Sequence, residues 1–145
     1  MIRLSSNNIK FSMEIEGYSY PFARDDWDAN WLQIKINITD VNEGIFFEQS
    51  DPCLLTMEIV DLYKWFSVVD DNKQEMNSIK FMEPNISFTC QENLLSIILE
   101  YAFNPFGRFD ESYKMDFKIN NDIRYEILKK LKESIAKFPK RLNPR

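Results

Sequence analysis

Alternation of apolar and polar residues at every second position is the feature that most constrains the fold of this chain. In IKFSMEIE (9–16), polar residues separate four apolar ones: Ile9, Phe11, Met13 and Ile15. The same period recurs in three further stretches: LQIKINI (32–38), NISFTC (85–90) and YKMDFKIN (113–120). Because successive side chains of a strand point to opposite faces, one buried and one hydrated face indicate antiparallel sheet.

Two further stretches add detail to the predicted sheet. Asn42-Glu43-Gly44 is a turn signal between LQIKINI and IFFE (45–48), so residues 31–48 are predicted to form a hairpin. LLSIILEYAF (94–103) is apolar on both faces. This pattern favours a central strand that is covered on both sides.

Two segments change to the helical period. Thr56 is interpreted as the N-cap of a helix whose apolar residues follow at helical spacing: Ile59, Leu62, Tyr63 and Phe66. Asn121 or Asp122 is interpreted as the cap of a second helix, with four apolar residues on one side: Ile123, Ile127, Leu131 and Ile135. The order of three or four strands, a helix, four strands and a helix predicts an α+β fold.

The predicted architecture is a mainly antiparallel β-sheet or flattened sandwich, with a middle helix and a C-terminal helix packed on it. The chain has 145 residues, a length that suits one compact domain. It contains no internal repeat and no Pro/Gly/Ser-rich linker. A single domain over residues 1–145 is therefore expected.

The residues that are missing exclude most common enzyme classes. The sequence has no histidine, which removes Ser–His and Cys–His catalysis and the common zinc sites. Its three glycines, Gly17, Gly44 and Gly107, are too far apart for a phosphate-binding loop. Cys53 and Cys90 lie among apolar residues and are interpreted as buried free thiols. No catalytic residue, metal ligand or cofactor is predicted, and the chain is expected not to be an enzyme.

The charges are distributed unevenly along the chain. Residues 1–123 carry 21 acids and 10 bases, whereas residues 124–145 carry 2 acids and 8 bases. An acidic body favours a basic partner and disfavours nucleic acid as the ligand. The basic end is interpreted as the hydrated face of a helix; the alternative is a contact with nucleic acid or an anionic membrane.

No part of the sequence predicts a membrane span or an export signal. No apolar run approaches the roughly 20 residues that a membrane-spanning helix needs. The first residues, MIRLSSNNIKF, lack the apolar segment of a secretory signal. A cytoplasmic location without membrane contact is therefore expected.

The stretch DDWDANW (25–31) has the spacing of alternate oxygen donors. Asp26, Asp28 and Asn30 match the first half of a calcium-binding loop. That loop needs glycine at its sixth position and a bidentate glutamate at its twelfth, where this chain has Trp31 and Asn37. The stretch is therefore not an EF-hand.

Other interpretations of DDWDANW stay open. In a structural role, Asp26 and Asn30 bond the local backbone while a tryptophan covers the core. In a metal-dependent hydrolase, one of its aspartates would be paired with a second carboxylate: Asp51, Glu83 or Glu100. In a ligand- or carbohydrate-binding β module, the tryptophan rings would be exposed on a concave face. In a protein interface, tryptophans beside charges would be binding hot spots.

Four motifs, taken in order, resemble a known family. They are DWDANWL (26–32), DPCLLT (51–56), EPN (83–85) and an aromatic strand that ends at Asn104-Pro105. Together with a final strand and helix that end in KFP, they resemble the WapI-like family of small bacterial immunity proteins, over roughly residues 8 to 139. The resemblance implies an antidote, encoded beside a polymorphic toxin, that protects the producing cell by binding the toxin. The family supplies no catalytic residues to carry over.

The sequence therefore predicts an intracellular immunity protein that neutralises its cognate toxin by binding. The toxin is expected to be basic, and a nuclease is the favoured kind, because nucleases need a cationic groove that an acidic protein can block. Residues predicted to contact the partner lie in DDWDANW and in a second acidic loop: Asp25, Asp26, Trp27, Asp28 and Trp31, with Asp70 and Asp71.

Overall fold

A computed structural model describes residues 1–69, 75–107 and 111–142 of the chain. The first half forms four strands followed by a helix: β1 (Ile2–Ser5), β2 (Ile9–Tyr18), β3 (Trp31–Asp40), β4 (Ile45–Leu55) and α1 (Thr56–Val68). The second half repeats this order with β5 (Asn77–Ile79), β6 (Ile86–Gln91), β7 (Leu94–Leu99), β8 (Tyr113–Lys118) and α2 (Asn121–Lys137). The predicted α+β class and order of elements are confirmed.

The strands form two antiparallel sheets, and each sheet follows chain order. The first contains β1-β2-β3-β4 and the second contains β5-β6-β7-β8. Helix α1 separates β4 from β5 along the chain. As predicted from its apolar faces, β7 lies inside its sheet, between β6 and β8.

The alternation in the sequence decides which face of each sheet is buried. On β2 and β3, Met13 pairs with Ile36 and Phe11 with Ile38, and these four side chains are buried. Buried residues of both sheets and both helices belong to one contiguous apolar cluster. Helix α2 packs against α1 and also contacts β1. The helices therefore cover this shared core.

The predicted hairpin is correct, but its second strand is longer than predicted. The turn is at Gly44, whose φ of +63° favours glycine. Strand β4 continues to Leu55, through Pro52. Proline is tolerated there because β4 is an edge strand, and the pairing shifts beside it, between Leu32 and Gln33.

Both predicted helix caps are wrong by one or two positions. Thr56 is the first helical residue of α1, and the carboxylate of Glu58 instead accepts the backbone N–H of Leu55 at 3.0 Å. The cap of α2 is Asn120, whose side chain accepts the N–H of Ile123 at 2.8 Å. Neighbouring Asn120, Asn121 and Asp122 are all good caps, so composition alone cannot choose among them.

Two buried or half-buried polar contacts join the sheets. The hydroxyl of Tyr113 on β8 donates to the carboxylate of Asp40 on β3 at 2.6 Å. The side-chain amide of Asn85, just before β6, donates to Asp51 on β4 at 3.0 Å. No helix in the described ranges is long and apolar enough to cross a membrane.

Candidate partner-binding surface

Residues 19–30 connect β2 to β3, and we call them the β2–β3 loop. Strand β2 has a bulge just before this loop, at Gly17, whose φ is +152°. Bulges bend a strand and change the direction of the chain that leaves it. The loop ends in a single 3-10 turn over Asp28–Asn30, directly before Trp31 begins β3.

Asp25 organises the middle of the β2–β3 loop. Its carboxylate accepts the backbone N–H groups of Trp27 at 3.1 Å and Asp28 at 2.7 Å. The N–H of Ala29 donates to the Asp25 carbonyl at 3.2 Å. An aspartate that bonds the backbone two and three residues ahead is a common turn former. Asp25, the first acid of DDWD, therefore begins a tight turn.

Asn30 anchors the end of the loop in the protein interior. Its side chain is fully buried and donates to the carbonyl oxygens of Asp26 and Arg141. Its side-chain oxygen accepts the N–H of Arg141 at 2.7 Å and the hydroxyl of Thr56 at 3.1 Å. This one amide therefore links the loop to the start of α1 and to the segment that follows α2.

Arg141 holds both ends of the loop through its guanidinium group. It donates to the carbonyl oxygens of Tyr20 and Pro21, each at 3.1 Å, at the start of the loop. It also donates to the carbonyl of Ala29 at the end of the loop, from Nε at 2.8 Å and from Nη2. The same group lies 4.0 Å from the centre of the Tyr18 ring, at cation–π distance.

Tyr18 completes this anchor from the end of β2. Its hydroxyl donates to the carbonyl of Pro139 at 2.6 Å, and its ring packs edge-to-face on Phe138. Burial raises the pKa of Tyr18, and the charge of Arg141 opposes that rise. The phenol therefore stays protonated and can donate throughout the neutral pH range.

The anchored loop exposes aromatic and acidic side chains together. Phe22 is 94% exposed, Trp27 47% and Tyr20 45%. The acids Asp25, Asp26 and Asp28 are exposed in the same short stretch. Large exposed aromatics beside charges are typical of protein interfaces, where such residues supply most of the binding energy.

The two tryptophans of DDWDANW have different positions. Trp31 is only 8% exposed and belongs to the sheet, whereas Trp27 packs edge-to-face on it, with ring centres 6.0 Å apart. Trp31, which the sequence predicts to contact a partner, therefore has little exposed surface to offer, and Trp27 is the exposed ring of the pair. This burial also counts against a carbohydrate site built from both rings. Asp70 and Asp71 lie outside the described residues.

Several motif residues make contacts that hold the fold. Asp51 of DPCLLT bonds Asn85 of EPN, and Thr56 bonds Asn30 of DWDANWL. Asn104 accepts the N–H of Phe106 at 2.9 Å and donates to the carbonyl of Glu111 at 2.7 Å. The motifs therefore combine structural residues with the exposed residues of the β2–β3 loop.

A metal-dependent hydrolase site would be recognised by a cluster of carboxylates around a metal position. Within residues 1–69, 75–107 and 111–142, no group of three or more Cys, Asp or Glu side chains could hold a metal ion. Burial, and then the nearby Glu83, raise the pKa of Asp51. Burial also raises the pKa of Glu58, against two backbone N–H groups that lower it. Both shifts therefore come mainly from burial.

Fold and surface together define a small α+β protein with an anchored loop that exposes acidic and aromatic side chains. A family model, described as the immunity protein WapI-like family, matches residues 1–139, and the chain therefore belongs to that family. This membership supports a role as an immunity protein. No curated protein and no solved structure gave a significant match.

The structure brings three residues into or against the β2–β3 loop that the sequence did not indicate: Tyr20, Phe22 and Arg141. Tyr20 and Phe22 precede the acids and lie outside any alternating pattern, so YPF (20–22) is the signal that could have identified them. Arg141 contacts residues more than 100 positions earlier in the chain, and nothing in the local sequence indicates that contact.

Proposed function

We propose that this immunity protein binds and neutralises a cognate toxin domain through the β2–β3 loop, without catalysing a reaction. The observation that carries the proposal is the exposure of Tyr20, Phe22 and Trp27 beside three aspartates, on a loop anchored at both ends. An ordered loop loses little conformational entropy when it binds, so its exposed area contributes more fully to affinity.

The charge of the chain supports a basic toxin, with a nuclease as the favoured kind. The chain carries a net charge of −5, and acids outnumber bases in the β2–β3 loop. A nuclease needs cationic residues to hold phosphates, and an acidic surface is complementary to them. The proposal includes a cytoplasmic location, where such a toxin would meet its substrate.

Binding of loop variants to the toxin domain encoded beside this chain tests the proposal. Phe22→Ala and Trp27→Ala each remove an exposed ring, and loss of a hot spot is expected to weaken binding by about 30-fold. Phe46→Ala is the matched control, because Phe46 is 81% exposed on the β3–β4 hairpin, outside the loop. Surface-binding kinetics with unchanged affinity for both loop variants would contradict the proposed site.

The same assay at two salt concentrations tests the electrostatic part. Added salt is expected to slow association, because it screens the attraction between an acidic and a basic protein. Asp28→Lys should lower kon more than Asp61→Lys on the exposed side of α1. A double reversal at Asp70 and Asp71, the other predicted contacts, ranks that loop against the β2–β3 loop. Salt-independent association would exclude steering by charge.

A further inference from the structure

We propose that Arg141 is a positioning residue for toxin binding: it fastens the β2–β3 loop in the conformation that meets the partner. This inference rests on the proposed function. It depends on the connection of both loop ends by one guanidinium group, which bonds the carbonyls of Tyr20 and Pro21 on one side and Ala29 on the other.

The exposed part of the loop is also held by the Asn30 side chain, which bonds the Asp26 carbonyl, and by Trp27, which packs on Trp31. Between Pro21 and Ala29, the hydrogen bonds within the loop are short-range, such as those to the Asp25 carboxylate and from Ala23 to Tyr20. Phe22 projects almost entirely into solvent. A loop of this kind keeps one conformation only if its ends are fixed, because local bonds do not restrict how the whole loop swings.

Arginine suits this task for a geometric reason. Its planar guanidinium group offers five N–H donors in a fixed arrangement, so it can bond several carbonyls while its face lies on the Tyr18 ring. A lysine ammonium is a more flexible point charge and cannot reproduce this geometry. The backbone of Arg141 is fixed as well, through the side chain of buried Asn30.

Arg141 lies just beyond the range that the family model matches, residues 1–139. The contact with the β2–β3 loop is seen in this chain's own structure. It gives the segment after α2 a role in recognition although that segment is not part of the proposed contact surface.

The test compares three variants: Arg141→Ala, Arg141→Lys and Lys140→Ala. Lys140→Ala is the matched control, because Lys140 is exposed and its replacement removes one positive charge, as Arg141→Ala does, one residue earlier. Hydrogen exchange of the amides of residues 22–30 and the rate of tryptic cleavage after exposed Arg24 report the order of the loop. In Arg141→Ala, the exchange rate of these amides and the rate of cleavage are each expected to rise about tenfold, because the loop is open for a larger fraction of the time. They should stay unchanged in Lys140→Ala and take an intermediate value in Arg141→Lys.

Binding to the adjacent toxin domain then separates positioning from local structure. Arg141→Ala is expected to lower kon by the same factor by which the ordered fraction of the loop falls in the exchange data, because only the ordered fraction binds productively. Its salt dependence should match that of the unaltered protein, since the loop acids remain. Exchange of the buried β3 and β7 amides should not change, which distinguishes local loosening from general unfolding.

Each other outcome has a definite meaning. The proposal that Arg141 fastens the loop would be overturned if the loop amides stayed protected in Arg141→Ala. It would also be overturned if the core amides lost protection to the same extent in Arg141→Ala and Arg141→Lys. A loosened loop with unchanged affinity would overturn the positioning role and leave the proposed function intact. Failure of the unaltered protein to bind the toxin domain would remove both.

Discussion

Asn30 lies where three parts of the chain meet, and all of its side-chain bonding capacity is directed inward. It bonds the backbone of Asp26, the backbone of Arg141 and the hydroxyl of Thr56. The bond to Asp26 agrees with the structural interpretation of DDWDANW, which was one of several left open by the sequence. A metal-like spacing of oxygen donors says nothing about which side chains point inward. Its contact with Arg141 depends on how the whole chain folds back, and residue patterns do not record it.

Replacing Asn30 with alanine is expected to lower the free energy of unfolding by roughly 2–3 kcal/mol, because buried partners lose their hydrogen bonds. Asn37→Ala is the control, since Asn37 lies on the outer side of β3 and its replacement should cost much less. Urea unfolding of both variants measures the difference. Equal decreases in the free energy of unfolding for the two variants would show that the buried contacts of Asn30 do not stabilise the fold.

The strands of this protein were largely predictable because a half-buried strand records its two environments in alternate residues. The inward positions on β2, β3, β6 and β8 all follow the predicted alternation. The division of the eight strands into two sheets was not predictable, because the same residues would be buried whether the strands formed one sheet or two. Helix starts were missed because a cap depends on side-chain geometry among several suitable residues, as at Asn120.

Ile36 tests the register of β3 against its neighbours. It is fully buried opposite Met13, so Ile36→Ala should cost roughly 2–5 kcal/mol through lost burial and the cavity left behind. Ile36→Val removes one methylene group and should cost about 0.5–1.5 kcal/mol. Urea unfolding gives both values. A loss below about 1 kcal/mol for the alanine variant, typical of a surface position, would contradict the register.

At the scale of the whole molecule, the two sheets depend on a few polar contacts as well as on their common apolar core. One of these contacts, between Asp51 and Asn85, includes a carboxylate whose pKa is raised above its ordinary value of 3.8, mainly by burial. A raised pKa means that the folded state prefers the protonated acid. This contribution to stability is complete below the unfolded pKa and is lost as pH rises through the folded pKa.

Asp51→Asn removes this titration while an amide oxygen can still accept from Asn85. Relative to the unaltered protein, the variant should therefore be more stable at pH 7 than at pH 4. Unfolding free energies at both pH values measure this change, and Asp28→Asn controls for the loss of one exposed negative charge. A relative gain that is greater at pH 4 would contradict the raised pKa.

The attachment of the β2–β3 loop by Arg141 has a consequence for how the sequence of the loop can change during evolution. Its acceptors in the β2–β3 loop are the backbone carbonyls of Tyr20, Pro21 and Ala29, which every amino acid possesses. Substitutions at Phe22, Trp27 or the neighbouring acids leave these acceptors in place. New side chains can therefore appear on the loop while its attachment to the scaffold persists.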